Sequence, residues 1–548
     1  MQVGVLKRII KINNKMKRLI HIATLLFLAQ ISFAQTYYIS PAGSDTTGDG
    51  SVGNPWATLY KASSTVTIPG STIFVKAGTY NETQQSILNL GVNLDGISGL
   101  SIINNTATYA LTISSANEGT LGNQFIRNIT LTGSDTVGVY GISVLGVSNV
   151  SVYNCKIMNF LLQGINFVGG TNGYSIPPVI PATGNQFYND TIINCTERAA
   201  AGGGNGLICF GGQNGLLIHD CYFNQTQRNP GYNGNIVGGV QGYDANVKYY
   251  NNTSVKPNRE IGWNFHIEHW YSLGGMEVYN CQFLGGGLCI DIGGATNVKG
   301  SSTYSWYIHN NTFALTAQDT VVTGAVQSLG VDVEGATSNV FIEQNNFNNL
   351  DEGVQITGMT TTLQDSIFIN RNLFDNMGGY DPSNENFTIG FINSAGQTIR
   401  DVFIDNNTMT SGSPFAVRSA ISFKPYGTVS NIHLRNNIIT NSYPYGYLAF
   451  WSYSVGVTDR IFSQNNLLYG NSGSNLPVYM TTSTVTNFFN KGNIIANPLL
   501  NSDLSLQAGS PAIGAAISLG YGPDLGAVPF SVPQQIWPHH TKRKFSNQ

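Results

Sequence analysis

Short bursts of alternating apolar and polar residues run along the chain, each broken by a polar pair ending in Asn or Cys and followed by another apolar residue. Examples are SVYNCKI, LIHDCYF, EVYNCQF, YIHNNTF, FIEQNNF, FIDNNTM, HLRNNII and FSQNNLL. The second polar position falls at Asn128, Cys155, Asp190, Cys221, Asn252, Cys281, Asn311, Asn345, Asn372, Asn407, Asn437 and Asn466, with a mean interval near 31 residues. Each unit carries a further burst that opens on or near Gly, as in YGISVLG, QGINFVGG, GLCIDIGG, LGVDVEGA and EGVQITG. Period-2 alternation predicts strands, and two or three short strands per unit without helical periodicity predict a solenoid of stacked parallel sheets. The expected fold is all-β, a right-handed parallel β-helix of about 12 or more rungs.

Stacking accounts for the Asn and Cys column. A side chain at a tight inward turn meets its own copies about 4.8 Å above and below, and Asn donates to one neighbour while accepting from the other. Cys155, Cys221 and Cys281 then sit two rungs apart, about 9.6 Å, beyond the reach of a disulfide. Free buried thiols are predicted for these three. The absence of any CxxC spacing argues against a cysteine metal site.

Composition agrees with this picture. The 548 residues include 63 Gly and 61 Asn, and only 10% are charged, well below the roughly 25% of an ordinary soluble domain. From Met16, a second candidate start, the sequence MKRLIHIATLLFLAQISFAQ has a basic start, an apolar run and small residues at Ser32 and Ala34, the pattern of a secretory signal cut before or near Gln35. Residues 1–35 hold six of the 26 cations and none of the 29 carboxylates, so a mature chain carries a net charge of −9. That balance argues against a nucleic-acid partner, and no stretch is long and apolar enough for a membrane span. A secreted or extracellular monomer is expected, with a basic tail at 531–548.

The stretch TYYISPAGSDTTGDGSVGNPWATLYKASSTVTIPGSTIFVKAGTY, together with NPLLNSDLSLQAGSPAIGAA and GPDLGAVPF near the end, resembles secreted bacterial right-handed parallel β-helix proteins of the pectate-lyase-like superfamily. The resemblance covers roughly residues 36–530. It implies an N-terminal cap and first rungs over 36–100, with a short helix near Trp56 to Ser64 and a strand at Thr72 to Lys76. It also implies a β-helix over 101–490 and a C-terminal closing segment over 491–530. The superfamily holds lyases, hydrolases, epimerases and non-catalytic surface proteins, so it narrows chemistry little.

Candidate chemistry comes from facing. If apolar residues of the Gly-led strand point inward, the intervening ones share an outward face. Successive rungs then present Ser143 and Leu145, Asn166 and Val168, Ile208 and Phe210, His266 and Glu268, Asp291, Asp332 and Glu334, then Gln355 and Thr357, with Ser422 and Lys424 further on. Four carboxylates and a histidine on three rungs stand out in a chain this poor in charge. Long irregular connections bring Arg228, Tyr232, Lys256, Arg259 and Trp263 to the same side, and Trp263, His269, Trp270, Tyr271 and Trp306 are candidate sugar platforms. His219 and His309 fall on a separate, mixed polar face.

Two reactions on a polysaccharide fit these residues, and a calcium-assisted polysaccharide lyase is expected ahead of a glycoside hydrolase. In β-elimination on a uronic acid chain, Ca2+ held by Glu268, Asp291, Asp332 and Glu334 neutralises the sugar carboxylate, and Lys256, Arg259 or His266 removes the proton. In glycoside hydrolysis, two of the carboxylates serve as acid and base, with Glu268 among the candidates. A third alternative is a non-catalytic β-helix that binds glycans or other surfaces. The polygalacturonase-like NTD, DD, GHG and RIK series is absent. The pectate-lyase-like RxPxxR is approached at Arg228 by RNPGYN, where Asn233 replaces the second Arg. No DPH motif of the epimerase kind occurs.

Overall fold

The computed structural model describes residues 33–530 apart from 135–139, 171–176, 196–205, 226–234, 239–242, 257–264, 287, 295–304, 316–327, 336, 359–362, 379–385, 412–418, 443–445, 451–455, 473–474, 476–477 and 480–484. The alternating bursts become strands of three long sheets with sixteen, fourteen and fifteen members, every pairing within them parallel. Each sheet takes every third strand of the chain through most of its length, so one rung contributes one strand to each. Lys248–Tyr250, Thr253–Lys256 and Phe265–Ser272 form one such rung. This topology is the right-handed parallel β-helix expected from the repeat.

At the N-terminal end the strand Thr36–Ile39 pairs with Thr72–Val75. Between them the short helix Leu59–Thr65 starts at Thr58, whose side chain accepts from the Lys61 amide. The buried Glu82 adds to this cap by accepting from the Leu59 and Tyr60 amides at 2.7 and 3.4 Å.

The interior is held by two kinds of ladder. Rings stack along the axis, with Phe313, Phe347 and Phe374 at successive centroid distances of 4.7 Å. The amides form the second ladder. Asn372 Nδ2 donates to Ile342 O at 2.8 Å and to Asn407 Oδ1, while Asn372 Oδ1 accepts from the Asn345 amide at 2.9 Å. The pattern repeats at Asn311, Asn345, Asn407, Asn437 and Asn466. Cys155, Cys221 and Cys281 occupy the same position, and all six cysteines are buried with none joined in a disulfide.

One member of the expected column is displaced. Asn128 is the turn residue before the ladder, at φ 58°, and Ile129 fills the inward site. Asn154, Asn189, Asn251, Asn310, Asn406, Asn436 and Asn465 sit at equivalent left-handed turns, a conformation Asn tolerates better than most residues. The Asn excess therefore has two structural sources, an inward ladder and a left-handed turn beside it.

The C-terminal segment packs along the side of the helix. The last strands are Val485–Lys491 and Ile494–Ile495, and the following chain runs back along the flank. Asn465, Asn436 and Asn406 donate to the carbonyls of Ala515, Ile517 and Asp524, and Asn370 donates to the Tyr521 hydroxyl. Leu506, Ala512 and Leu525 pack there against Ile438 and Leu467. The segment is a strap on the turn column, and its contacts with that column are the ones an extended chain makes with a row of amides.

Candidate functional site

Register assigns the outward face of the fourteen-stranded sheet. Ile267, Ile290, Val331, Val354 and Ile389 align in the core, so Glu268, Asp291, Asp332, Gln355 and Gly390 align between them on the opposite side. Glu334 and Thr357 form a second outward pair two residues further along. The four carboxylates thus share the expected face.

Their surroundings are drier than a solvated face. Asp291 and Asp332 are 1% and 3% exposed and Glu334 is buried, whereas Glu268, Gln355 and Thr357 are half-buried. The closest oxygens of Asp291, Asp332 and Glu334 lie within 4.8 Å of one another. Burial pushes the Asp332 carboxyl up to about 7, opposed by hydrogen bonds from Thr357 and the Val333 amide. Burial, and then the charges of Asp332 and Glu268, push Glu334 up to about 8. Gln355 Nε2 donates to Thr357 Oγ1 at 2.6 Å and lies 3.5 Å from Asp332 Oδ2, so the next rung orients Asp332. Asp332 Oδ1 is buried without a hydrogen-bond partner among the described residues.

Several other expected residues turn away from this face. His266 lies inside the helix, fully buried, with Nδ1 2.7 Å from Ser254 Oγ and Nε2 2.8 Å from Gly285 O. Its ring meets Phe283 edge-on. Two consecutive residues, His266 and Ile267, are both buried, as are Cys289 and Ile290 at the corresponding positions of the next rung. Lys256, 1% exposed, is also buried and contacts the same pocket, since a Cβ on Gly286 would meet both Lys256 and His266. Burial and the Lys256 charge hold His266 down at about 3, so the imidazole is neutral.

His269 and Trp306 are likewise core residues. Their rings meet at 5.9 Å, and His269 lies 2.9 Å from Met276 Sδ and 3.5 Å from the buried Asp244 carboxylate. Ile208 and Phe210 point inward, and Cys209 occupies the outward column between them. Strict alternation places Phe210 and Ile208 only once the pairing with Ile165 and Phe167 is known. Arg228, Tyr232, Arg259 and Trp263 lie outside the described residues, as do the side chains of Trp270 and Tyr271. Sequence reasoning named Gln355 and Thr357 as face residues without a role, and their contact with Asp332 is visible only in register.

His219 and His309 belong to another feature. They alternate with tyrosines in an outer stack, Tyr153, Tyr188, His219, Tyr250, Tyr279 and His309, at centroid distances of 4.6–5.2 Å. Ring faces cover one another there, so a sugar would meet edges.

No protein-family model matches the chain, and no curated protein matches it. Solved structures do. The A-module of Azotobacter vinelandii mannuronan C-5 epimerase AlgE6 matches at 12% identity and a TM-score of 0.36, over 78% of this chain and 91% of that one. A mutant tailspike protein of E. coli bacteriophage HK620, in complex with a pentasaccharide, matches at 13% identity and 0.46, over 77% and 72%. The Streptococcus pneumoniae surface protein and adhesin PfbA matches at 11% identity and 0.34, over 77% and 90%. Similarity at this level assigns no activity to this chain, and the chemistry below rests on its own residues.

Proposed function

We propose that this protein cleaves an extracellular polysaccharide by glycoside hydrolysis at the Asp291, Asp332 and Glu334 cluster. The observation that carries the reading is a pair of carboxyls on one strand and one face, Asp332 and Glu334, both buried and both driven up toward neutrality. A carboxyl that keeps its proton near pH 7 can donate it to a leaving glycosidic oxygen, and one that is ionised beside it can attack or stabilise the anomeric carbon. Thr357 favours the ionised form of Asp332, while the effects recorded on Glu334 all favour its protonated form. We assign Glu334 the role of acid and Asp332 that of nucleophile or stabiliser.

A specific observation favours a second reading. Three carboxylates around the unpartnered Asp332 Oδ1, with Glu268 alongside, form an all-oxygen donor set that suits Ca2+. A cation there would neutralise the carboxylate of a uronic acid and support β-elimination. The residues that would supply the base are reduced to Arg259, because Lys256 and His266 face the interior. A non-catalytic glycan binder is the reading left if neither reaction is found.

One assay separates these readings. A panel of neutral and uronic acid polysaccharides is incubated with the protein, and new reducing ends are followed together with the ultraviolet absorbance of an unsaturated uronate. Reducing ends without absorbance identify hydrolysis, both signals with chelator sensitivity identify the lyase, and binding without either identifies the glycan binder. The N-terminal signal-like sequence supports an extracellular setting. Among the described residues no helix is long and apolar enough to cross a membrane.

A further inference from the structure

Every described Asn of the inward ladder from Asn252 to Asn466 donates to one kind of backbone carbonyl. Asn252 Nδ2 donates to Ile218 O at 2.9 Å and Asn311 Nδ2 to Val278 O at 2.9 Å, in each case the residue three before the preceding ladder member. Cys155, Cys221 and Cys281 place their sulfurs 3.6–3.8 Å from the equivalent Ile126, Phe187 and Tyr249 carbonyls and 3.1–3.4 Å from the carbonyls of Tyr153, His219 and Tyr279. Asp190 stands in this column between Cys155 and Cys221. Its Oδ1 accepts from the Cys155 amide at 2.5 Å, as an Asn oxygen does at other rungs. Its Oδ2 is buried with no partner, and the register puts the Val152 carbonyl where the other ladder members find their acceptor. An ionised carboxylate cannot fill that place, since two acceptors would face each other out of water.

We propose that Asp190 is a neutral carboxylic acid that replaces Asn by donating its own proton to the Val152 carbonyl, and that losing this proton at alkaline pH opens the ladder at this rung. The groups facing it are consistent with the assignment. The Cys155 and Cys221 thiols on the two neighbouring rungs are pushed well up by burial and are uncharged near neutrality. Tyr188, on its own rung, belongs to the outer stack, as does Tyr153 on the rung before. The cations of the preceding rungs also stand outside the ladder, with Arg127 bound to Asp95 and Tyr153 and Lys156 exposed. Burial raises Asp190 well above the ordinary 3.8, opposed only by backbone amides. A group with a raised folded-state pKa stabilises the fold fully below its unfolded value and loses that contribution as pH rises through the folded one. Asp190 is therefore an alkaline-sensitive fastening in a ladder that is otherwise indifferent to pH where Asn fills it.

The test is thermal unfolding of the full chain and of Asp190→Asn from about pH 5 to about pH 10. The two proteins should differ least at the acid end and separate progressively from there as pH rises through the folded-state value of Asp190, with Asp190→Asn gaining relative stability throughout. A constant offset at all pH values, or a variant that loses stability at both ends, overturns the proposal. Asp190→Cys copies the neighbouring rungs and should also fold, and failure of both variants to fold would equally count against it. Infrared difference spectra of the native protein minus Asp190→Asn at pH 7 should contain a carboxylic acid C=O band, and a carboxylate band in its place would refute the neutral assignment.

Discussion

The Ser254 hydroxyl and the His266 Nδ1 atom lie 2.7 Å apart inside the helix, on the opposite side of the sheet from the carboxylates. The imidazole therefore accepts from Ser254 and donates through Nε2 to Gly285 O. With its pKa lowered from 6.5 to about 3, it contributes stability that is complete above about 6.5 and is lost as pH falls toward 3. Ser254→Ala should cost about 1–3 kcal/mol by leaving a buried acceptor unpaired, measured as a drop in denaturant midpoint. His266→Gln should remove the acid slope of stability between about pH 6.5 and 3. Polysaccharide cleavage by either folded variant should stay near the native rate.

The amide ladder makes a sharper stability claim. Asn372→Ala strips the partner from the Asn345 amide and from Ile342 O, at about 1–3 kcal/mol for each buried group left unmade, so about 2–6 kcal/mol in all. Asn372→Cys should lose less, because thiols already serve at Cys155, Cys221 and Cys281. Equilibrium urea unfolding of the two variants ranks them.

Core packing reaches the site through a glycine. A Cβ at Gly330 would come within 2.5 Å of the Phe347 ring and 2.6 Å of Gly353 O, and Gly330 lies two residues before Asp332. Gly330→Ala should destabilise by about 1–3 kcal/mol through overpacking and also reduce cleavage. Phe347→Ala, which opens a gap between rings stacked 4.7 Å away on both sides, should cost about 3–5 kcal/mol. Thermal melts paired with rate measurements distinguish the two effects.

Asp332 and Glu334 set the pH response on the alkaline side. Their raised values mean that the stability they contribute is full below about pH 4 and declines as pH rises through about 7 to 8. Glu334→Gln should flatten that decline in melts between pH 6 and 9. If Ca2+ binds the cluster, millimolar Ca2+ should raise the melting temperature most at pH 9, where the ligands are ionised, and a chelator should reverse it.

The fold was legible because its repeat is a physical necessity. An inward amide at each rung, a turn residue that tolerates positive φ and a glycine where a ring packs against a strand all leave marks in the sequence, as at Asn345, Asn310 and Gly353. The carboxylate face was legible for the same reason, since Glu268, Asp291 and Asp332 alternate with Ile267, Ile290 and Val331. Alternation places His266 outward, whereas His266 and its neighbour Ile267 are both buried in the interior. Lys256 is placed in a groove by its irregular connection and Trp306 by its aromatic type, whereas a charged or polar-tipped side chain can be buried if the interior supplies its contacts. Asn128 was assigned to the ladder because two adjacent asparagines per rung serve different purposes, and spacing alone does not say which is which.

The most direct test of the cleavage claim is the rate of Glu334→Gln on a polysaccharide that the native protein cleaves, measured as reducing ends across pH 5 to 9. Loss of a general acid predicts a fall of about 10²–10⁴-fold with the native fold retained, and a native profile that drops above about pH 8 as Glu334 ionises. A folded Glu334→Gln that cleaves at the native rate would contradict the account.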